Sequence, residues 1–305
     1  MPKIVVVGSF VVGITFGVSR MPAVGETLIG DSFDLGPGGK GTNQAIGAAR
    51  LDAQVNLLAC VGDDIFADMA LGIYKKEGLL LDHIHRMSNI NTGVGVVTLM
   101  PDGKNWIIGD FGANFLMTPA HVDAAEALIA QSDIVMSQFE VPPETVVRAM
   151  ELGRKHGAMT IWNPAPAKAV IPDLLANVDL LTPNETEVRI LLGLAPDDPT
   201  PTLDLAQRLF ALGVERIVVT KGKDGAQIVT SDGSEEIPAV EITPVDPTGA
   251  GDCFNAALAV ALGQGKSLTE AVREGTYAGA YSATHLGVID GLPTRRELDE
   301  FISKT

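Results

Sequence analysis

Short runs of Val, Ile and Leu alternate along this chain with longer segments whose apolar residues recur at helical spacing. This alternation is typical of a parallel sheet, whose strands are buried on both faces and need a helical crossover between them. We therefore expect an α/β fold with a mainly parallel, doubly wound sheet sandwiched by helices. The predicted strands are residues 4–8, 55–61, 133–137, 159–162, 178–181 and 216–220. The predicted helices are residues 41–50, 65–77, 119–130, 143–156, 184–192, 251–262, 268–284 and 294–302.

Two stretches interrupt this rhythm, at about residues 14–33 and 92–110. Both are rich in β-branched residues and follow an alternating rather than a helical pattern, and the second contains the turn Pro101-Asp-Gly-Lys104. We interpret them as antiparallel strands of a small β-sheet lid inserted in one domain that spans residues 1–305. Open strand edges in such a lid would favour pairing with a second copy of the chain.

The balance of charged residues bears on which classes of ligand the chain can bind. The chain has 305 residues, with 22 Lys and Arg against 38 Asp and Glu, and a formal net charge of −16. No run of Lys or Arg concentrates positive charge, so nucleic-acid and membrane binding are not expected. The two cysteines, Cys60 and Cys253, lie in apolar runs without metal-ligand spacing, which favours a reducing, cytoplasmic setting. An anionic ligand would have to be held by local groups against the overall field.

The segment Asp246-Pro-Thr-Gly-Ala-Gly-Asp252 carries the strongest chemical signal, because it leads directly into an apolar helix. Small residues at Gly249, Ala250 and Gly251 would let backbone amides approach an oxyanion closely, and the helix start adds partial positive charge. Asp252 would stand beside this cradle and accept a proton from a hydroxyl that attacks phosphorus. The alternative is an ordinary glycine turn with Asp252 as a first-turn carboxylate.

A second glycine segment, Gly36-Pro-Gly-Gly-Lys-Gly-Thr-Asn43, also precedes a predicted helix. It is not a Walker loop, because Lys40 is followed by Gly rather than by Ser or Thr. The first strand also lacks the dinucleotide fingerprint, which argues against a nicotinamide-dependent enzyme. We expect Gly39 to allow a close backbone approach, with Lys40 and Asn43 directed at a polar ligand. The alternative is a glycine-rich strand-to-helix turn.

Two further loops follow predicted strands, at the edge where open α/β sheets bind ligands. In Thr182-Pro-Asn-Glu-Thr-Glu187, the side chains of Asn184 and Glu187 would suit Mg²⁺ together with phosphate oxygens and water. Both residues are also good helix-capping residues. The loop Thr220-Lys-Gly-Lys-Asp-Gly225 would hold a nucleotide through backbone groups, or would form a plain hairpin turn.

Five segments of the chain, in their order, resemble the signatures of one enzyme family, the ribokinase-like carbohydrate kinases of the phosphofructokinase-B type. The similarity runs from the first strand to the last helix and is closest to the ribokinases. Five ordered motifs are far more specific than any one of them. They are Gly38-Gly-Lys-Gly-Thr-Asn43, Asn163-Pro-Ala-Pro-Ala167, Thr182-Pro-Asn-Glu-Thr-Glu187, Thr220-Lys-Gly222 and Asp246-Pro-Thr-Gly-Ala-Gly-Asp252.

This resemblance implies transfer of the γ-phosphoryl group of ATP to a sugar hydroxyl, with Mg²⁺, a β lid and a homodimer formed through the lid. It implies that Asp252 is the base and that Gly249, Ala250 and Gly251 form the anion hole. The residues implied to face the sugar, besides Asp252, are Gly39, Lys40, Asn43 and Glu140. Those implied for the nucleotide are Asn184, Thr220, Gly222, Gly225 and Thr276, with Glu187 serving Mg²⁺. A monovalent-cation site, usually potassium, is implied near Asp246 and Thr248, with Ser282, His285 and Gly287 as further contributors.

The chain departs from this family at one place. Ribokinases carry an Asn and an Asp just after the first strand, where these residues hold sugar hydroxyls, whereas Val11 and Gly13 stand there in this chain. An unpaired polar partner costs about 1–3 kcal/mol, so we expect ribose to be a poor substrate and a bulkier or less hydroxylated ligand to be preferred.

Three functions are consistent with these residues. The first is an ATP-dependent sugar kinase, and the nearest alternative is a nucleoside kinase on the same fold. The third is a catalytically silent regulator that binds a sugar or nucleotide. It is disfavoured because Asp252 and the glycines beside it are intact.

Overall fold

The computed structural model describes residues 1–101, 105–169 and 171–305. The strands are β1 (Lys3–Val7), β2 (Val11–Gly17), β3 (Ser32–Gly38), β4 (Gln54–Val61), β5 (Ile84–Arg86), β6 (Gly93–Leu99), β7 (Asn105–Asp110), β8 (Ile134–Ser137), β9 (Met159–Trp162), β10 (Leu180–Leu181), β11 (Ile217–Thr220), β12 (Ala226–Thr230) and β13 (Gly233–Ile237). The α-helices are α1 (Lys40–Arg50), α2 (Ile65–Lys76), α3 (Pro119–Ala124), α4 (Glu126–Ile129), α5 (Pro143–Lys155), α6 (Pro172–Leu175), α7 (Glu185–Leu191), α8 (Thr202–Phe210), α9 (Ala250–Gly263), α10 (Leu268–Ala283) and α11 (Arg295–Ile302). Within these residues, no helix has both the length and the apolar character needed to cross a bilayer.

In the described part of the chain, nine strands form the main sheet in the order β13-β12-β11-β10-β9-β8-β1-β4-β5. The pairings from β11 to β5 are parallel, which confirms the mainly parallel, doubly wound sheet predicted from the sequence. The last two strands, β12 and β13, are antiparallel; the hairpin between β11 and β12 is the alternative left open for residues 220–225, whereas β13 was not predicted. Strand β13 reads Gly-Ser-Glu-Glu-Ile and is mostly exposed, so it lacks the apolar run that marks a buried strand.

The core lies on both faces of this sheet. Ile4 and Val6 of β1 belong to one apolar cluster, which includes residues of α1, α9 and α10. Val5 and Val7 belong to a second cluster, which includes residues of α5, α7 and α8. Since successive side chains point to opposite faces, the unbroken apolar run of β1 follows from helices on both sides.

The lid is a second sheet of four strands in the order β3-β2-β6-β7. Its strands overlap the two predicted lid segments, but the first, residues 14–33, contains parts of two strands that extend beyond it. Strand β2 begins at Val11, and β3 continues to Gly38 into the predicted glycine turn. The outer pairings are antiparallel as predicted, whereas the central β2–β6 pairing is parallel. Strands β1 and β5, which precede β2 and β6 in the chain, also run in the same direction within the main sheet. Residues 102–104 of the predicted turn lie outside the described residues.

The two faces of the lid differ in chemistry. On one face, Leu35, Ile14, Val96 and Ile108 lie in register across all four strands, followed by the row Phe33, Phe16, Thr98 and Trp106. Phe33 is 61% and Ile108 is 77% exposed, so much of this apolar face is uncovered in the single chain. The opposite face carries an in-register row of glycines, Gly36, Gly13, Gly95 and Gly109.

A close backbone contact places helix α1 against the end of β1. A Cβ atom on Gly41 would lie 2.3 Å from the backbone nitrogen of Ser9, and one on Gly8 would lie 2.5 Å from the Cα of Gly41. Only glycine at both positions permits this approach. The N-terminus of α1 therefore lies at the carboxyl edge of the main sheet, beside the loops that follow its strands.

Candidate active site

Two glycines with left-handed backbones precede the helices that form the site. Gly39 (φ 93°) precedes α1 and Gly249 (φ 81°) precedes α9, and a Cβ on Gly249 would lie 2.5 Å from Val288. Both conformations favour glycine strongly. Lys40 is the first residue of α1, and Ala250, Gly251 and Asp252 are the first three of α9. A helix start carries partial positive charge, so the start of α9 can stabilise an anion. The first amides of α1 already donate to Glu140 and Ser9.

Asp252 is 4% exposed, and its two carboxylate oxygens accept hydrogen bonds from α1. Asn43 Nδ2 donates to Oδ2 at 2.8 Å, and Gln44 Nε2 donates to Oδ1 at 3.0 Å. The structure therefore joins Asn43 and Asp252, which the sequence assigned to one site. The Oδ1 atom of Asn43 is buried and has no hydrogen-bond partner among the described residues, so it offers an acceptor to a ligand.

Glu140 lies on the same site, in the loop after β8. Its Oε2 accepts hydrogen bonds from the backbone nitrogen of Lys40 at 2.8 Å and from the Ser9 hydroxyl at 2.5 Å. Burial raises the pKa of the Glu140 carboxyl. The pKa of the Lys40 ammonium is also raised, chiefly by Asp252, with smaller contributions from Glu140 and Glu187. The charges of these three carboxylates favour the protonated form of Lys40.

Asn184 and Glu187 form a capping box at the start of α7. Asn184 Oδ1 accepts from the Glu187 nitrogen and Glu187 Oε2 accepts from the Asn184 nitrogen, each at 2.8 Å. Asn184 and Glu187 therefore do cap the helix, as the alternative interpretation held. The capping box uses only one of the two Glu187 carboxylate oxygens. Burial raises the pKa of the Glu187 carboxyl, which means that its ionised form has few compensating partners. A divalent cation would supply such a partner.

The predicted nucleotide residues divide into two groups. Thr220 ends β11 and forms a parallel bridge with Asn184, so these two residues are neighbours. Gly222 and Gly225 belong to the short turn between β11 and β12, which is also the hairpin that the sequence allowed. Thr276 lies within α10, and its hydroxyl donates to the Val272 carbonyl. Its described hydrogen bonds do not join it to the other site residues.

The residues predicted for a monovalent cation connect two loops. Asp246 Oδ1 accepts from the Thr248 nitrogen at 3.0 Å, and its Oδ2 accepts from the Gly287 nitrogen at 3.3 Å. The Ser282 hydroxyl is buried and has no hydrogen-bond partner among the described residues. The His285 imidazole lies within 2.9 Å of the Tyr281 carbonyl and stacks on the Tyr281 ring. No group of three or more His, Cys, Asp or Glu side chains in the described residues is arranged to hold a metal ion by itself.

Sequence reasoning assigned no role to several buried polar residues around Asp252. Asn163 and Thr182 belong to motifs that carried the family resemblance, and Gln44 directly follows the motif that ends at Asn43. The position of these three residues in the sequence was therefore a usable signal. Asn255 lies one helical turn after Asp252, where an apolar residue would be the default. The residues are Ser9, Gln44, Gln138, Asn163, Thr182 and Asn255.

The raised pKa of Glu140 makes a prediction about stability. The folded state binds the Glu140 proton more tightly than the unfolded state, so this group's contribution to stability is lost as pH rises past the ordinary carboxyl range. The substitution Glu140→Gln keeps an acceptor for Ser9 and Lys40 but removes the charge. We expect a Tm at least about 2 °C above wild type near pH 8 and a smaller gain near pH 5, measured by thermal denaturation. A Tm at or below wild type near pH 8 would contradict this assignment.

Comparison with known proteins agrees with this geometry. Residues 1–295 match the pfkB family carbohydrate kinases. The chain is 38% identical over 305 residues to the ribokinase of Bacillus subtilis, covering 99% of this chain and 100% of that protein. It is 34% identical over 301 residues to the deoxyribokinase of Salmonella typhi, covering 98% of each.

Solved structures show the same similarity. The ribokinase of Arabidopsis thaliana, in complex with ribose and ATP, superposes with a TM-score of 0.91 at 29% identity, covering 99% of this chain and 98% of that one. The family match spans nearly the whole chain, and the sequence and fold comparisons agree. The chain belongs to the pfkB family of carbohydrate kinases.

Proposed function

We propose that this protein transfers the γ-phosphoryl group of ATP to a hydroxyl of a sugar or sugar-like alcohol. The observation that carries this proposal is the placement of a buried carboxylate, Asp252, at the start of α9, next to Gly249 with its left-handed backbone and close to the Lys40 cation. The three groups are what phosphoryl transfer to an alcohol needs: a proton acceptor, backbone amides for oxyanions and a positive charge. The ribokinase and deoxyribokinase relatives support it.

In this mechanism the acceptor hydroxyl hydrogen-bonds to Asp252. As its oxygen bonds to the γ-phosphorus, the hydroxyl proton moves to the Asp252 carboxylate and the bond from phosphorus to the bridging oxygen of ADP breaks. Backbone amides at Gly249, Ala250 and Gly251 and the ammonium of Lys40 stabilise the oxygens of the transferred group. Asn43 and Glu140, with the Gly39 backbone, hold and orient the remaining hydroxyls of the acceptor.

The nucleotide would lie along the neighbouring loops. We assign Asn184, Thr220, Gly222 and Gly225 to its phosphates and adenosine, and Thr276 to its outer end. The free Glu187 oxygen would serve Mg²⁺ through water, which agrees with the raised pKa of that carboxyl. Bound Mg²⁺ would neutralise charge on the β- and γ-phosphate oxygens.

We assign a monovalent cation, potassium by family resemblance, to the loop pair next to the anion hole. Its candidate ligands are Asp246, Thr248, Ser282 and Gly287, with His285 as a further contributor. The support is that the buried Ser282 hydroxyl has no hydrogen-bond partner among the described residues and that Asp246 bonds to both Thr248 and Gly287.

The first test is the base. Replacing Asp252 by Asn keeps the shape of the side chain but removes its capacity to accept the proton. We expect kcat to fall at least about a hundredfold with little change in the KM for ATP, measured by ADP release with an active acceptor. Asp133→Asn, at the opposite end of the sheet, is the matched control and should retain activity. A near-normal kcat for Asp252→Asn would refute the assignment, and binding of sugar without turnover by wild type would favour the silent regulator.

We further propose that ribose is not the preferred acceptor. Val11 and Gly13 offer no hydrogen bond, and Gly13 lies in the glycine row of the lid, where a Cβ would have its nearest neighbour at 3.6 Å. A pocket bounded by this row would be wider and less polar than one lined by Asn and Asp. Such a pocket suits a deoxy-sugar, or a sugar with an apolar or planar substituent such as a nucleoside.

A panel of pentoses, hexoses, deoxy-sugars and nucleosides tests this preference. We expect ribose to have a lower kcat/KM than at least one deoxy-sugar or nucleoside, and the double substitution Val11→Asn with Gly13→Asp to raise kcat/KM for ribose about tenfold or more. A kcat/KM for ribose above that of every other acceptor in wild type would show that the role given to Val11 and Gly13 is wrong.

We also propose a homodimer in which the apolar lid faces of two copies pack together. The rows through Ile108 and Phe33 supply exposed apolar area on an otherwise acidic surface, and a second copy is the partner that the family resemblance indicates. Sedimentation velocity at micromolar concentration should give a dimer for wild type and a monomer for Ile108→Asp, with Val24→Asp, an exposed apolar residue of the connecting segment, as control. A wild-type monomer would contradict the proposal.

A further inference from the structure

A closed ring of hydrogen bonds connects the candidate base to the loops of the main sheet. Gln44 Nε2 donates both to Asp252 Oδ1 at 3.0 Å and to Asn163 Oδ1 at 3.2 Å. Asn163 Nδ2 donates to the Thr182 carbonyl at 2.8 Å, and the Thr182 hydroxyl donates to Asn255 Oδ1 at 2.6 Å. Asn255 Nδ2 donates to the Gly251 carbonyl at 2.8 Å, which closes the ring at the residue before Asp252.

The side chains of the ring are buried, whereas Gly251, whose carbonyl closes the ring, is exposed. Gln44 is fully buried, Thr182 and Asn255 are 1% exposed, and Asn163 is 7% exposed. Buried polar groups of this kind are costly unless each is paired, and a fully paired network has one well-defined arrangement. The ring therefore holds its members more rigidly than solvent-exposed hydrogen bonds would.

The donors and acceptors leave little freedom of orientation. Both hydrogens of the Gln44 amide are used, by Asp252 and Asn163, and its Oε1 accepts from Gln138 Nε2 at 2.6 Å. Rotating this amide by half a turn would place its oxygen against the Asp252 carboxylate, where no hydrogen is available. Gln44 is thus locked with its donors towards Asp252.

The ring also spans the two parts of the site that act together. Asp252 is the base, and Gly251 belongs to the anion hole, so both ends of the ring are on α9. The ring runs between them through α1, the end of β9 and the end of β10. Asn43 is bonded to Asp252 separately, on the other carboxylate oxygen, and it also faces the acceptor.

We propose that Gln44, Asn163, Thr182 and Asn255 are positioning residues that fix the Asp252 carboxylate relative to the anion hole. This inference rests on the proposed kinase function and assigns a role to the Asn163 and Thr182 motifs. The four residues act through Asp252 and Gly251 and do not contact the acceptor. A misplacement of about 1 Å at a reacting group costs roughly a hundredfold in rate, so such positioning has a measurable effect.

Substitutions at two members of the ring, Gln44 and Thr182, test its role. Gln44→Met keeps volume but removes every hydrogen bond of the amide, and we expect kcat to fall about ten- to a hundredfold while the KM for ATP stays within about twofold. Thr182→Val removes only the hydroxyl, and we expect kcat to fall about three- to tenfold. Thr182→Ser retains the hydroxyl and should restore kcat to within about twofold of wild type.

Thr145→Val is the matched control. Thr145 is fully buried, its hydroxyl donates to the Met117 carbonyl at 2.7 Å, and it lies on α5 outside the ring. It should lose stability about as much as Thr182→Val but retain kcat. An equal loss of kcat in Thr145→Val would show that removing any buried hydroxyl lowers activity, and it would overturn the proposal.

A double-mutant cycle shows whether Gln44 acts through Asp252. In the Asp252→Asn background, Gln44→Met should lower the residual rate less than about twofold, because the group that it positions is already disabled. A full additional loss in that background, or an unchanged kcat in both folded single variants, would overturn the proposal.

A measurement without turnover separates this proposal from the kinase function. Hydrogen exchange in the peptide 249–255 should be faster in Thr182→Val than in wild type and unchanged in Thr145→Val. If wild type phosphorylates no acceptor, the proposed function fails, while this exchange measurement still decides whether the ring holds the start of α9. Equal exchange in Thr182→Val and wild type would overturn the ring's role.

Discussion

A buried carboxylate needs hydrogen-bond donors, and Asp252 receives two of them from a helix that begins more than two hundred residues earlier. The bonds from Asn43 and Gln44 span 209 and 208 positions of sequence. They require α1 and α9 to start at the same edge of the sheet, and this convergence depends on the close contact between Gly8 and Gly41. The lid, the Lys40 cation and the loops after β8, β9 and β10 are all arranged around that meeting point.

The site places the Lys40 ammonium among carboxylates in a protein that is acidic overall. The chain carries a formal net charge of −16, and a phosphate-bearing ligand is repelled by it at long range. Inside the site, the start of α9 and the Lys40 ammonium supply positive potential over a few ångströms, where burial weakens the screening by water. Asp252, and to a smaller extent Glu140 and Glu187, raise the pKa of Lys40, while burial raises the pKa values of Glu140 and Glu187. Burying the charged carboxylates of Glu140 and Glu187 therefore lowers the free energy of unfolding.

The lid combines two surfaces in one thin sheet. Because side chains alternate between faces, a single strand such as β2 presents Ile14 and Phe16 to one side and Gly13 to the other. The proposed dimer would use the apolar face, and the proposed acceptor pocket would use the glycine face. Dimer formation and acceptor choice would therefore be set by neighbouring residues of the same strands, which makes the lid a place where substitutions can affect both.

The alternation of strands and helices, the glycine turns and the candidate residues Lys40, Asn43 and Asp252 could be predicted from the sequence, because periodicity and turn chemistry are local properties. Glu140 became a candidate only through the resemblance to a known family. The structure alone decided the parallel pairing of β2 with β6, the exposed hairpin strand β13, and the ring through Gln44, Asn163, Thr182 and Asn255. Strand direction within a sheet and the partner of a buried amide depend on residues distant in sequence. The sequence does not show which atom a buried Gln or Asn will hydrogen-bond to. Only the folded structure therefore shows that these amides form a network with Asp252.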